Sequence, residues 1–173
     1  YFLDNMLRYR NQQLDGKEVL ITGSGNVAQY AAEKAIDLGG TVRTLSDSTG
    51  TMVFDKLRRK DIEMIQKIKE DRLSLSEYPN GTFYSGKKPW EVVSSTDVVL
   101  PCATQNEIEA TDAKTIINLG AKFVAEGSNM STTPDAVDLF HEASIDYGLG
   151  KAANLGGVGV SGLEMSQNAQ RQT

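Results

Sequence analysis

The sequence predicts an α/β fold: a doubly wound, mostly parallel sheet with helices on both faces. Three observations carry this expectation. Short apolar or β-branched runs recur along the chain, at Val19-Leu20-Ile21, Thr41 to Leu45, Asp97 to Leu100 and Lys122 to Ala125. Segments with apolar residues at helical spacing lie between them. A glycine-rich turn joins the first run to the first of those segments. Strands alternating with helices at this spacing make βαβ units, and the right-handed crossover rule leaves few topologies for them.

Each element has its own justification. Residues 1–13 read as a leading helix, with Phe2, Leu3, Met6 and Leu7 on one side. Val19-Leu20-Ile21 reads as a buried strand. Residues 26–38 read as a helix on Val27, Ala28, Ala31, Ala32, Ala35 and Ile36, ended by Gly39-Gly40. Thr41 to Leu45 is a β-branched second strand. Asp61 to Arg72 reads as a charged helix with Ile62, Ile65 and Ile68 inside, and Pro79-Asn80-Gly81 as a turn. Asp97 to Leu100 and Lys122 to Ala125 follow as strands. Pro134 to Ala143 reads as a helix with proline in its first turn, and Ala143 to Tyr147 as a last strand. Gly156 to Gln170 reads as a closing helix.

Bulk properties narrow the function. The chain has 173 residues, 39% of them hydrophobic, which is enough for one domain with a real core. A net charge of −5 argues against nucleic acid or an anionic membrane as partner. The single cysteine, Cys102, excludes an internal disulfide framework and fits a reducing compartment, hence a cytoplasmic location. No apolar run approaches a membrane span. The chain opens without Met, inside a helical pattern, and reads as an excised segment.

The turn Gly23-Ser24-Gly25-Asn26-Val27-Ala28 is G-x-G-x-x-A. Its first glycine permits the tight turn, the second lets backbone approach a pyrophosphate, and Ala28 lets the helix lie close to the strand. A helix N-terminus then faces the phosphates. Two-glycine turns are common, but this one follows a strand, opens a helix and sits in the first βαβ unit, which is the setting of a Rossmann-like dinucleotide site. Ser46-Asp47-Ser48 ends the second strand. Asp47 there suits a ribose 2′-hydroxyl and hence NAD; the alternative is an Asx-type turn.

Other residues have plainer readings. Cys102 is a small buried or cleft-lining thiol, with no base beside it in sequence. His141 suits a surface or C-terminal-turn position, and no Cys/His cluster suggests a metal. Trp90 suits packing of a loop onto the sheet edge. Lys67 to Arg72 suits a solvated helix face.

Four stretches together resemble a known family. They are GSGNVAQYAAEKA from Gly23, PCATQNE from Pro101, VAEGSNM from Val124, and the run from Gly150-Lys151-Ala152-Ala153-Asn154 through Gly156-Gly157-Val158 to Ser161-Gly162-Leu163. Their order and spacing are similar to the coenzyme-binding domain of hexameric glutamate dehydrogenases, over essentially the whole chain. The resemblance implies residue roles. Gly23, Ser24, Gly25, Asn26, Val27 and Ala28 match the pyrophosphate loop. Ala103 and Thr104 flank the ribose and adenosine side, Asn129 lies beside the nicotinamide, and Asn154 faces the same cleft. Val158 and Ser161 reach the glutamate substrate, and Lys151 anchors a loop. Two departures stand out: Gly148-Leu149-Gly150-Lys151 lacks the usual proline, and Gly159-Val160 precede Ser161 where the family carries Ala-Thr.

The resemblance also implies what acts where. The catalytic lysine, the proton-transferring aspartate and the lysine for the α-carboxylate belong to an N-terminal substrate domain that this chain lacks, so no catalytic residue is expected here. The parent is expected to be a homohexamer interconverting glutamate and 2-oxoglutarate. The chain alone is expected to bind cofactor without turnover. On the cofactor the two lines of reasoning diverge. NADP-preferring members also carry Ser-Asp-Ser, Ser46 and Ser48 can donate to a phosphate, and Lys69 and Arg72 match positions that supply cations. NADP is therefore expected, with NAD the second choice. A stand-alone nucleotide-sensing module is the alternative to an enzyme segment.

Overall fold

The computed structural model describes residues 1–150. Its elements are α1 (Phe2–Tyr9), β1 (Glu18–Ile21), α2 (Asn26–Asp37), β2 (Thr41–Asp47), β3 (Gly50–Val53), α3 (Arg59–Glu70), β4 (Thr82–Ser85), β5 (Val98–Leu100), α4 (Ala110–Asn118), β6 (Phe123–Ala125), α5 (Pro134–Glu142) and β7 (Asp146–Gly148). They build a seven-stranded sheet in the order β4-β3-β2-β1-β5-β6-β7. Strands β2, β1, β5, β6 and β7 are parallel, while β3 is antiparallel to both β2 and β4. The fold is thus α/β with a mixed, mostly parallel sheet.

Strand alternation explains the two layers. Val19 and Ile21 of β1 face one cluster with Ala28, Ala32 and Ala35 of α2, Ile62 and Ile65 of α3, and Leu3 and Leu7 of α1. Leu20 between them faces a second cluster with Ala113 and Ile116 of α4 and Ala136 and Phe140 of α5. Central parallel strands need apolar residues at successive positions because both faces are covered. Ala28, Ala32 and Ala35 of α2, at most 3% exposed, let that helix lie close to the sheet.

Sequence boundaries shift where a turn competes with the pattern. The leading helix stops at Tyr9, not residue 13. Asn11 takes a left-handed backbone (φ +54°) and Gln12 N–H bonds back to Leu7 O at 2.9 Å, which closes the helix end. The last strand begins at Asp146, because Ser144 (φ +57°) and an Ile145 N–H bond to Phe140 O turn residues 143–145 into the end of α5. Strands β3 and β4 and helix α4 lie outside the elements read from sequence. Trp90 is 2% exposed and shares a cluster with Leu20 and Val99 of central strands rather than sitting at the sheet edge. The closing helix expected at Gly156 to Gln170 lies outside the described residues.

Strand order reverses between β1 and β5: the chain builds outward through β2 on one side and through β6 on the other. Loops leaving the carboxyl ends of these two strands must diverge, and the crevice between them is where open α/β sheets take ligands.

A dinucleotide cleft at the switch point

The loop after β1 is built for close approach. Gly23 has φ +83°, and a side chain there would meet Cys102 O at 3.0 Å and Ala103 Cα at 3.1 Å, so the β1 and β5 loops pack against each other through it. Gly25 caps α2 in extended conformation, with nothing within 4 Å of the place a side chain would occupy. No side chain caps this helix and its first turn has no acidic residue. Its first N–H groups and the positive end of its dipole therefore face the space over Gly25. Ser24 is buried and its carbonyl accepts from Gln29 Nε2 at 2.8 Å. Asn26 and Val27 are exposed, while Ala28 is buried under the helix.

The end of β2 is tied to this loop. Ser46 Oγ accepts from Gly23 N–H at 2.9 Å, and Ser46 N–H donates to Gly23 O at 3.1 Å. Asp47 is turned elsewhere. Its Oδ1 accepts from Thr49 N–H at 2.9 Å and from the Thr49 hydroxyl, an Asx turn closing the β2–β3 hairpin. Its Oδ2 accepts from Leu75 N–H at 2.8 Å and Lys69 Nζ at 3.0 Å. Burial alone would raise this carboxyl, but the bonds from Thr49, Leu75 and Lys69 hold it down at about 2. A carboxylate has about four acceptor sites, and these four bonds occupy them. Lys69 also donates to Leu73 O at 2.8 Å, which leaves one of its three N–H groups. Arg72 follows α3 with φ +57° and is exposed, as is Ser48.

A cleft of about 390 Å³ lies between these loops. One wall is Thr22 to Gly25 with Ser46 to Ser48; the facing wall is Lys87 to Trp90, and the floor is Cys102 to Thr104 with Glu107. Glu107 fastens the floor. Its Oε1 accepts from the Thr22 hydroxyl at 2.9 Å and Ala103 N–H at 3.1 Å, and Thr22 Oγ1 accepts from Cys102 N–H at 2.8 Å. Burial raises the Glu107 carboxyl, opposed by those donors. Burial also pushes the Cys102 thiol up to about 12, so it is an inert packing group. On the facing wall Lys88 Nζ bonds Asp112 Oδ2 at 2.6 Å and Glu107 O at 3.0 Å, and Trp90 Nε1 donates to Asp112 Oδ1 at 2.9 Å. Lys87 pairs with Glu91, at 3.2 Å on an exposed surface.

The structure therefore brings together Gly23, Ser24, Gly25, Ser46, Asp47, Ser48, Ala103 and Thr104 around one cleft. Lys69 joins it through Asp47, and Arg72 is not among its lining residues. Asn129 lies on the exposed loop after β6. Lys151, Asn154, Val158 and Ser161 lie outside the described residues. Sequence reasoning missed Thr22, Lys87, Lys88 and Glu107. Thr22 and Glu107 are 85 positions apart, so no local pattern pairs them.

A glycine turn, an uncapped helix and a switch-point cleft define a dinucleotide-binding α/β domain of the Rossmann type. The sequence profile of the Glutamate/Leucine/Phenylalanine/Valine dehydrogenase family matches residues 1–173, and the chain belongs to that family. It is 48% identical to the NADP-specific glutamate dehydrogenase of Giardia intestinalis, covering 99% of this chain and 40% of that protein. It is 44% identical to NADP-specific glutamate dehydrogenase 1 of Saccharomyces cerevisiae, covering all of this chain and 43% of that one. Among solved structures, Plasmodium falciparum glutamate dehydrogenase superposes with a TM-score of 0.91 at 38% identity, over 98% of this chain and 37% of that chain. Plasmodium falciparum glutamate dehydrogenase 2 does so at 0.89 and 42% identity, over 99% and 38%. The chain thus spans about two fifths of the relatives it matches.

Proposed function

We propose that this chain is the NADP(H)-binding domain of a glutamate dehydrogenase, interconverting L-glutamate and 2-oxoglutarate plus ammonia. The observation that carries the cofactor choice is the bonding of Asp47. A carboxylate selects NAD by accepting the ribose 2′-hydroxyl, and every acceptor site of this one is already taken by Thr49, Lys69 and Leu75. The names of the relatives support the same choice.

The residues fit a dinucleotide. Gly23 to Ala28 would hold the pyrophosphate on the N-terminus of α2. Ser46 and Ser48 would donate to the 2′-phosphate, with the remaining Lys69 N–H and Arg72 as cations; such charge-assisted bonds are about twice as strong as neutral ones. Ala103 and Thr104 would flank the ribose, and Asn129 and Asn154 the nicotinamide, which carries the hydride. Val158 and Ser161 would reach the substrate. The catalytic lysines and aspartate would come from a substrate domain outside this chain, in a cytoplasmic homohexamer. The single cysteine supports a reducing compartment, and among the described residues no helix is long and apolar enough to cross a membrane.

Fluorescence titrations of NADPH and NADH at low salt test this, on the chain and on a Lys69→Ala/Arg72→Ala variant. The expected result is at least tenfold tighter NADPH, with the preference lost in the variant. Tighter NADH in the unsubstituted chain would return the ribose hydroxyls to Asp47 and overturn the NADP assignment.

A further inference from the structure

We infer that Glu126 is the positioning residue of the nicotinamide end of the cleft, an assignment that rests on the dinucleotide reading above. Glu126 follows β6 and is 3% exposed. Among the described residues no lysine or arginine pairs with it. A buried carboxylate without a cation is costly unless donors satisfy it. Here the donors come from two separate stretches of chain. Oε1 accepts from Thr132 N–H at 2.8 Å, and Oε2 from Gly150 N–H at 2.7 Å. The Tyr147 hydroxyl stands beside it, its acidity suppressed by burial and by that carboxylate.

These bonds join what the strands leave apart. The loop from Gly127 to Thr133 carries Asn129, and Gly150 lies two residues beyond the end of β7. Both lie at the carboxyl edge of the sheet, the edge that bears the cleft. The Asn129 loop is also bonded to residues that flank the cleft floor: Gly127 and Ser128 donate to Pro101 O at 2.8 and 3.1 Å, and Asn106 N–H donates to Met130 O at 2.9 Å. Fixing Thr132 and Gly150 to one rigid carboxylate sets the distance between the Asn129 loop and Gly150, and with it the height of Asn129 above the floor. Gly150 records how close the fit is. A side chain there would lie 2.7 Å from Ser128 O and 2.8 Å from Glu126 Oε2.

A carboxylate is needed because both donors are backbone N–H groups. Glutamine of the same shape has one acceptor oxygen and turns an NH₂ against the other N–H. The Asn129 loop and Gly150 then separate at the nicotinamide end while the glycine turn and Ser46 keep their own bonds.

The test uses two probes on the chain. NADPH occupies the whole cleft; 2′,5′-ADP occupies only the adenosine half. For Glu126→Gln we expect 2′,5′-ADP affinity within twofold of the unsubstituted chain, NADPH affinity about tenfold weaker, and bound-nicotinamide emission moved towards that of free NADPH. Gly150→Ala is expected to give the same split, and the double variant no further loss. Retained 2′,5′-ADP binding certifies that each variant is folded. Equal weakening of both probes would mark Glu126 as a general structural brace, and unchanged NADPH binding would remove its role altogether; either overturns the assignment. If the unsubstituted chain binds neither probe, the dinucleotide reading falls first and takes this assignment with it.

Discussion

The bonds to the Asp47 carboxylate, from Thr49, Lys69 and Leu75, all favour its ionised form. Its folded value, about 2, lies below the ordinary value near 3.9 of an unfolded chain. Its stabilisation is therefore fully present above about pH 4 and is lost as pH falls towards 2. Asp47→Asn should lower stability at pH 7 by on the order of 1–2 kcal/mol, since bonds to a charged acceptor are replaced by poorer ones. It should also flatten the loss of stability between about pH 4 and pH 2. Urea unfolding at pH 7 and pH 3 checks both, and parallel pH slopes for the two proteins would show that Asp47 does not carry the effect. The residue illustrates what one sequence can and cannot convey. Ser-Asp-Ser-Thr-Gly carries turn chemistry in its residue types, and the Asx bond is there. That the other oxygen meets Lys69 and Leu75 depends on where α3 ends and how the chain returns. Gly23 and Gly25 were legible because a turn of that shape must follow a strand and open a helix. Glu107 was not, because its partner Thr22 is close only in space.

At the scale of elements, legibility follows burial. Val19 to Ile21 and Val98 to Leu100 are covered on both faces, so their apolar runs are unmistakable. Strand β4, Thr-Phe-Tyr-Ser, is mostly exposed at the sheet edge and carries neither a run nor an alternation. Helix α4 buries only Ala113 and Ile116, too little to mark a stripe. The turn at Pro89–Glu91 forms a cleft wall and is joined to α4 by one carboxylate. Asp112 accepts from Glu109 N–H at the helix start, from Lys88 and from the buried Trp90 indole. Asp112→Ala removes a helix cap and leaves the indole N–H without its acceptor. The expected loss is about 2–3 kcal/mol, from a cap worth about 1 and an unsatisfied buried donor worth 1–3. Trp90 is the only tryptophan, so its emission reports this junction alone. A red shift in the native variant is expected; unchanged emission with unchanged stability would show that α4 and the turn hold without the link.

For the molecule as a whole, the sheet order gives one crevice with two open ends. One strand pair, β1 and β2, supplies the glycine turn and the serines; the other, β5 and β6, supplies the floor and the Asn129 loop. On the reading proposed above all of this would position a dinucleotide, and among the described residues little of it is free to move a proton. Lys69 and Lys88 on or beside the cleft are held in ion pairs at 3.0 and 2.6 Å. Cys102 is locked as a thiol. General acid–base groups contribute about 10²–10⁴ in rate, and orienting the substrate contributes more. The chain is therefore expected to bind NADPH while giving no glutamate oxidation above a blank without protein. Absorbance at the reduced-nicotinamide band, recorded with glutamate and NADP⁺ at concentrations where binding is saturated, measures this directly. Turnover clearly above the blank would mean that the proton-transfer groups reside within these 173 residues, and the division of labour between a cofactor domain and a separate substrate domain would have to be abandoned for this protein.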